Sequence, residues 1–237
     1  MDLDDLLWQA ITAADLAAIR RLAANGASIN RQSDGTPLLD RVLWWMSDDE
    51  LGSFVPNRYE VVSTLLDLGA NPHLLNPEGQ GILGGPAFQY DFQMLKMLLE
   101  RGVDPNRGHG DGEDSVYDEA EFDFRFALTE YDTSGPSERD GISMPSEAEK
   151  AFVRQLDRCM GVASLGLPYE VREHEDNWLR SLDQKARDQG RSRPDHLFLL
   201  RKFGALTSRE IAHALGDETR FVRWIDDHWV LGEKIPQ

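Results

Sequence analysis

Seven carboxylates fall within thirteen residues at Asp111, Glu113, Asp114, Asp118, Glu119, Glu121 and Asp123. Acids this dense can ligate a hard cation, exchange protons as a catalytic pair, or attract a cationic partner. Their order separates these chemistries. The stretch Gly108-His109-Gly110-Asp111-Gly112-Glu113-Asp114 lacks the Asp-x-(Asp/Asn)-x-(Asp/Asn)-Gly alternation of a calcium loop, so it reads as a flexible acidic projection beginning near His109. The acids that follow share a helical pattern, where those in the first turn also suit the helix dipole. Phe122, Phe124 and Phe126 alternate with charge there and suggest either a buried edge or an apolar floor.

Other reactive groups are sparse. The six histidines, at positions 73, 109, 174, 196, 213 and 228, show no His-x-x-x-His or cysteine-paired spacing, so no transition-metal site is expected. Cys159 falls on the apolar side of a predicted helix, where a cysteine serves as a small hydrophobe. Neither a phosphate-cradling glycine loop nor a nucleophile elbow occurs. The sequence therefore predicts a protein without cofactor or catalytic machinery, and an unfamiliar acidic site in the middle segment is the only enzyme reading left. Trp44 and Trp45 stand beside Asp48, Asp49 and Glu50, a group suited either to plugging a helix junction or to anchoring a partner.

Charge points the same way. The chain of 237 residues carries a formal charge of −17. Most of the excess lies in residues 111–149, which hold thirteen acids against two bases. Such a field repels nucleic acid and anionic membranes and attracts basic proteins, although an acidic surface also serves solubility. With one cysteine, an acidic start and no apolar run of membrane-spanning length, the expected setting is the cytoplasm.

The elements that must hold these residues follow from a repeat. Val61-Val62-Ser63-Thr64-Leu65-Leu66-Asp67-Leu68-Gly69-Ala70-Asn71-Pro72 is matched by Met94 to Pro105, with glycines 33 residues apart. Four and seven residues before Gly26, Gly69, Gly102 and Gly204 stand the pairs Leu22/Ile19, Leu65/Val62, Leu98/Leu95 and Leu200/Leu197. This spacing predicts four amphipathic helices, each ended by a left-handed glycine. An earlier helix is expected before each of the first three, at Asp5–Ala10, after Thr36-Pro37, and in the glycine-rich stretch Gly79–Ala87. Another is expected at Asp114–Ala120.

Thr36-Pro37-Leu38, the helix-plus-glycine segments and the endings Gly26-Ala27-Ser28-Ile29-Asn30 and Gly102-Val103-Asp104-Pro105-Asn106 together resemble the ankyrin repeat family. The resemblance covers about residues 5–122 and returns near 195–205. Every copy lacks the family's histidine, the third copy is degenerate, and two insertions interrupt the period. The family likeness implies stacked helix pairs, hairpin fingers at right angles, and protein binding along the face made by fingers and first helices.

The first insertion lengthens Gly26 to Gly69 to 43 residues, and the second lengthens Gly102 to Gly204 to 102. Within the second, Tyr131–Pro145 reads as loop and Ser146-Glu147-Ala148-Glu149 as a capping box opening a helix. Residues 177–188 and 193–202 are expected to form a divergent closing pair. Beyond Thr207 a further helix pair resembles a helix-turn-helix, with Arg220 and Arg223 on it but also Asp217, Glu218, Asp226 and Asp227. An end cap and a DNA contact are the two readings.

The expected fold is all-α: repeats over 1–126, an insertion over 127–175, and a divergent repeat with a cap over 176–237. The expected function is capture of a basic protein by the acidic face, as an inhibitor or immunity protein would do, without binding membrane. A DNA-linked regulator is the alternative.

Overall fold

A computed structural model describes residues 2–45, 57–107, 115–129, 169–208, 210 and 211. Asp48–Glu50, the projection from His109 to Asp114, the helix expected from Ser146, and the helix pair expected beyond Ile211 lie outside those residues.

The described chain is mostly helical. Its helices are α1 (Leu3–Thr12), α2 (Leu16–Ala24), α3 (Leu38–Trp45), α4 (Arg58–Asp67), α5 (Gly84–Phe88), α6 (Phe92–Glu100), α7 (Val116–Thr129), α8 (Tyr169–Asp188) and α9 (Asp195–Lys202). One short hairpin, Gln32–Ser33 with Thr36–Pro37, pairs antiparallel before α3. No helix among the described residues is long and apolar enough to cross a membrane.

All eight aliphatic residues of the glycine-anchored pattern are buried. They sit on α2, α4, α6 and α9, and each helix ends in the same way. The following glycine has φ between 82° and 95°, and the amide of the next residue bonds back to the carbonyl of the final core leucine: Ala27 to Leu22, Ala70 to Leu65, Val103 to Leu98, Ala205 to Leu200. This six-to-one closure requires a left-handed residue, which glycine adopts at least cost. The starts are equally regular. Asp15 and Asp91 cap α2 and α6 by accepting from Ala18 and Met94. At the matching position α4 carries Arg58, which is buried and forms an ion pair with Asp91.

Successive units are joined by an asparagine four residues after the glycine. Asn30 donates to the Gly69 carbonyl at 3.0 Å and accepts from the Asn71 amide at 2.6 Å. Asn106 donates to the Gly204 carbonyl at 2.8 Å and accepts from the Leu206 amide at 2.8 Å. The identical clamp places the Gly204 unit directly after the Gly102 unit, despite the 102 residues between them.

The helix α9 packs against α7 and α6, and α8 lies against α7. Residues 177–188 and 193–202, expected to form a closing pair, are tied by Arg193 to Asp183, and Arg201 of α9 also reaches Asp176 of α8. First helices contact first helices through α3, α5 and α7, and second helices contact second helices, α2 with α4 and α6 with α9.

Just before the short α5, a Cβ on Gly81 would lie 2.7 Å from the Arg107 carbonyl oxygen, so glycine there lets the neighbouring backbone approach. Within α5, a Cβ on Gly85 would make only ordinary contact with the Trp44 ring, at 3.8 Å.

Candidate functional site

Trp44 is one of three large hydrophobic side chains exposed among the described residues, with Leu3 on α1 and Phe122 on α7. Leu38, Leu39, Val42 and Leu43 turn α3 into the core, which leaves Trp44 at its end with 45% of its surface exposed. One turn earlier, the buried Asp40 accepts a hydrogen bond from the Trp44 side chain. Burial raises the Asp40 carboxyl to about 6, the charge of Glu78 adds to that rise, and the Trp44 hydrogen bond opposes it. Gly85 of α5 lies against the ring, so the indole is fixed between a carboxylate and a neighbouring helix.

Trp44 borders a hollow whose other walls come from the segments 72–76, 80–84 and 103–107, with Phe88 of α5 and Glu119 of α7. Asp104, Glu119, Arg107 and His73 are its ionisable residues. The enclosed volume is about 20 Å³, room for a single water, so this is a surface to lie on and not a chamber to enter. A second hollow of about 340 Å³ lies between α1, the hairpin and α3. Three of its charged residues make contacts within the fold: Arg41 stacks over Trp8 at 4.3 Å, Asp4 accepts from the Ser28 amide at 2.9 Å, and Arg31 approaches Asp4 at 3.8 Å.

The acids of α7 divide by burial. Glu119 and Asp123 are half-buried, and Glu119 faces the hollow. Asp118 and Glu121, expected on the partner-binding surface, are instead buried at 4% and 2% exposure and serve the interior. Ser115 and Asp118 form a capping box at the start of α7, the Asp118 amide bonding the Ser115 hydroxyl at 3.1 Å. The Asp118 carboxylate also accepts from the Ser208 amide, while the Ser115 amide donates to the Ser208 hydroxyl at 2.9 Å. Glu121 accepts from the Trp178 indole at 2.9 Å and pairs with Arg125 at 3.2 Å. Burial raises Asp118 to about 6, against the opposing bonds from Ser208 and Ser115, and raises Glu121 to about 7, against Arg125 and Trp178.

Behind them lies Arg201, fully buried. It contacts Asp176 at 2.9 Å, Glu210, and the Ala205 carbonyl at 2.9 Å, above the Tyr117 ring. Burial opposes its charge, but the hydrogen bonds and charge of Glu210 outweigh that and hold it protonated. Thr207 and Glu210 form a second capping box. His196 is buried against Tyr90 and Phe124, and burial lowers it to about 3 despite its bond to the Ala120 backbone. These groups hold α7, α8 and α9 to the segment after Leu206, and their function is internal.

No protein-family model matches the chain, and no curated protein matches it significantly. Among the described residues, no group of three or more His, Cys, Asp or Glu side chains is placed to hold a metal ion.

Of the expected site residues, the structure therefore brings Trp44 and Glu119 to one hollow and leaves Asp123 at the half-buried edge of α7. Trp45 belongs to α3, but its side chain is outside the described set. Phe122 is exposed and Phe124 buried, because residues two apart fall on opposite sides of a helix. Asp40, Glu78, Asp104 and Arg107 were not singled out from sequence. The spacing of Asp40 to Trp44 is one helical turn, which was the available signal for the first of them.

Proposed function

We propose that this chain is an ankyrin-type, non-catalytic binding protein that holds a basic protein partner on the face made by its fingers and first helices. The carrying observation is Trp44, 45% exposed yet fixed by Asp40 and Gly85, at the border of a hollow bearing Asp104 and Glu119. A half-exposed indole held by a hydrogen bond is the kind of anchor on which interface energy concentrates. The solenoid reading is supported by the four identical helix closures and the twin asparagine clamps. Basic partners are favoured by the charge of −17, and neutralisation of a basic toxin by an immunity-type inhibitor fits this reading. The end-cap reading of the segment after Leu206 is favoured over DNA contact because Glu210 is committed to the buried Arg201 and Thr207 donates to that same Glu210 carboxylate.

The test is photo-crosslinking in native lysate from a benzophenone amino acid at position 44, with position 21, exposed on α2, as control. A basic protein captured at 44 alone, and lost at about 0.5 M salt, is expected. Equal capture from both positions, or capture indifferent to salt, would defeat the proposal.

A further inference from the structure

The surface at Trp44 has a chemistry more specific than negative charge. Its indole N–H is engaged by the Asp40 side chain, so what it offers a partner is the ring. A carboxylate accepting from the indole N–H pushes electron density into the ring and strengthens its attraction for a cation. The neighbouring hollow is too small for an inserted side chain, which favours a flat group laid across it. Carboxylates border it in Asp104, whose Oδ1 also accepts from the Asn106 amide at 2.9 Å, and in Glu119, with Glu78 close enough to Asp40 to raise its pKa. Arg107 and His73 are the basic residues of the same hollow, and the carboxylates outnumber the one fixed positive charge.

Resting on the partner-binding reading above, we propose that this surface receives an arginine side chain of the partner. Its guanidinium lies on the Trp44 ring and its edge meets the carboxylates of Asp104 and Glu119. Guanidinium is planar, weakly hydrated and able to stack while its N–H edge still donates, whereas a lysine ammonium is a compact, strongly hydrated point charge. Both cations answer the charge, but only arginine uses the flat indole and the carboxylates together.

The test uses the full chain, nitrogen-15 labelled, titrated with an acetylated, amidated glycine–serine peptide carrying paired arginines and with its lysine counterpart. The Trp44 indole resonance, assigned by its loss in Trp44→Leu, should move with the arginine peptide. Trp44→Leu should weaken that peptide about fivefold and the lysine peptide less than about twofold. Glu119→Gln, which keeps the indole, should weaken both by about two- to threefold. Equal losses for the two peptides in Trp44→Leu would reduce the site to charge attraction and overturn the arginine assignment. An unmoved Trp44 resonance would overturn it too. In either case, crosslinking from position 44 would still report whether a partner binds this face, so the two readings fail separately.

Discussion

At the scale of single residues, α3, α7 and α9 each carry ionisable groups where water does not reach, and this gives stability a pH dependence with a definite sign. Glu121, ordinarily near 4.5, is raised to about 7, and Asp118 and Asp40 are raised from 3.8 to about 6. Between those limits each takes up a proton on folding, so stability rises as pH falls. His196, lowered from 6.5 to about 3, does the reverse across that range. Three carboxyls outweigh one imidazole, so through these four groups the urea midpoint should increase from about pH 8 to about pH 5 and decline again below about pH 3.8, where His196 alone of the four still titrates differently in the two states. A midpoint that falls steadily from about pH 8 to about pH 5 would refute this account. Arg201 has a different dependence. Removing it leaves Asp176 and Glu210 with uncompensated charge in a dry interior, and Arg201→Met should cost about 3–5 kcal/mol in chemical denaturation at neutral pH.

At the scale of elements, the buried Arg58–Asp91 pair joins α4 to α6, and Arg58→Ala is expected to lower stability by about 3–5 kcal/mol. A milder loss should follow Gly81→Ala, about 1–3 kcal/mol by thermal or urea unfolding, since its Cβ meets the Arg107 backbone and not a yielding side chain. These helices show what sequence could and could not convey. The buried pairs from Ile19 to Leu200 were legible because a single periodicity fixed both their face and their stop signal. The partnership of α9 with α7 was not, because spacing along the chain says nothing about which earlier helix a later one returns to; Asn106, in the same position as Asn30, held that information. The division of the α7 acids was hidden for a similar reason. Counting carboxylates treats Asp118 and Glu119 alike, yet neighbours on a helix are about 100° apart. The Ser115-x-x-Asp118 capping box marked the inward one. Trp44 was legible as an anchor by its type, but its support by Asp40 and Gly85 comes from two different helices.

At the scale of the whole molecule, the clamps are unevenly distributed. The first unit is bound to the second by Asn30 and the third to the fourth by Asn106, but the second ends in His73, which among the described residues makes no side-chain hydrogen bond to the third. His73→Asn should restore the missing clamp and add about 0.5–1.5 kcal/mol, measurable as a raised urea midpoint; an unchanged midpoint would mean that the clamp contributes nothing at that position. The middle junction is not loose throughout. On its helical side Arg58 reaches Asp91, and Arg101 reaches Asp67 at 2.6 Å and Ser63 at 2.7 Å. On the side without an asparagine clamp, residues 72–76, 80–84 and 103–107 line the hollow beside Trp44, and there the Gly81 backbone comes close to the Arg107 carbonyl. A partner seated on the hollow would tie those segments together, and amide exchange in residues 72–82 and 103–107 should slow on binding while the first hairpin keeps its free rate.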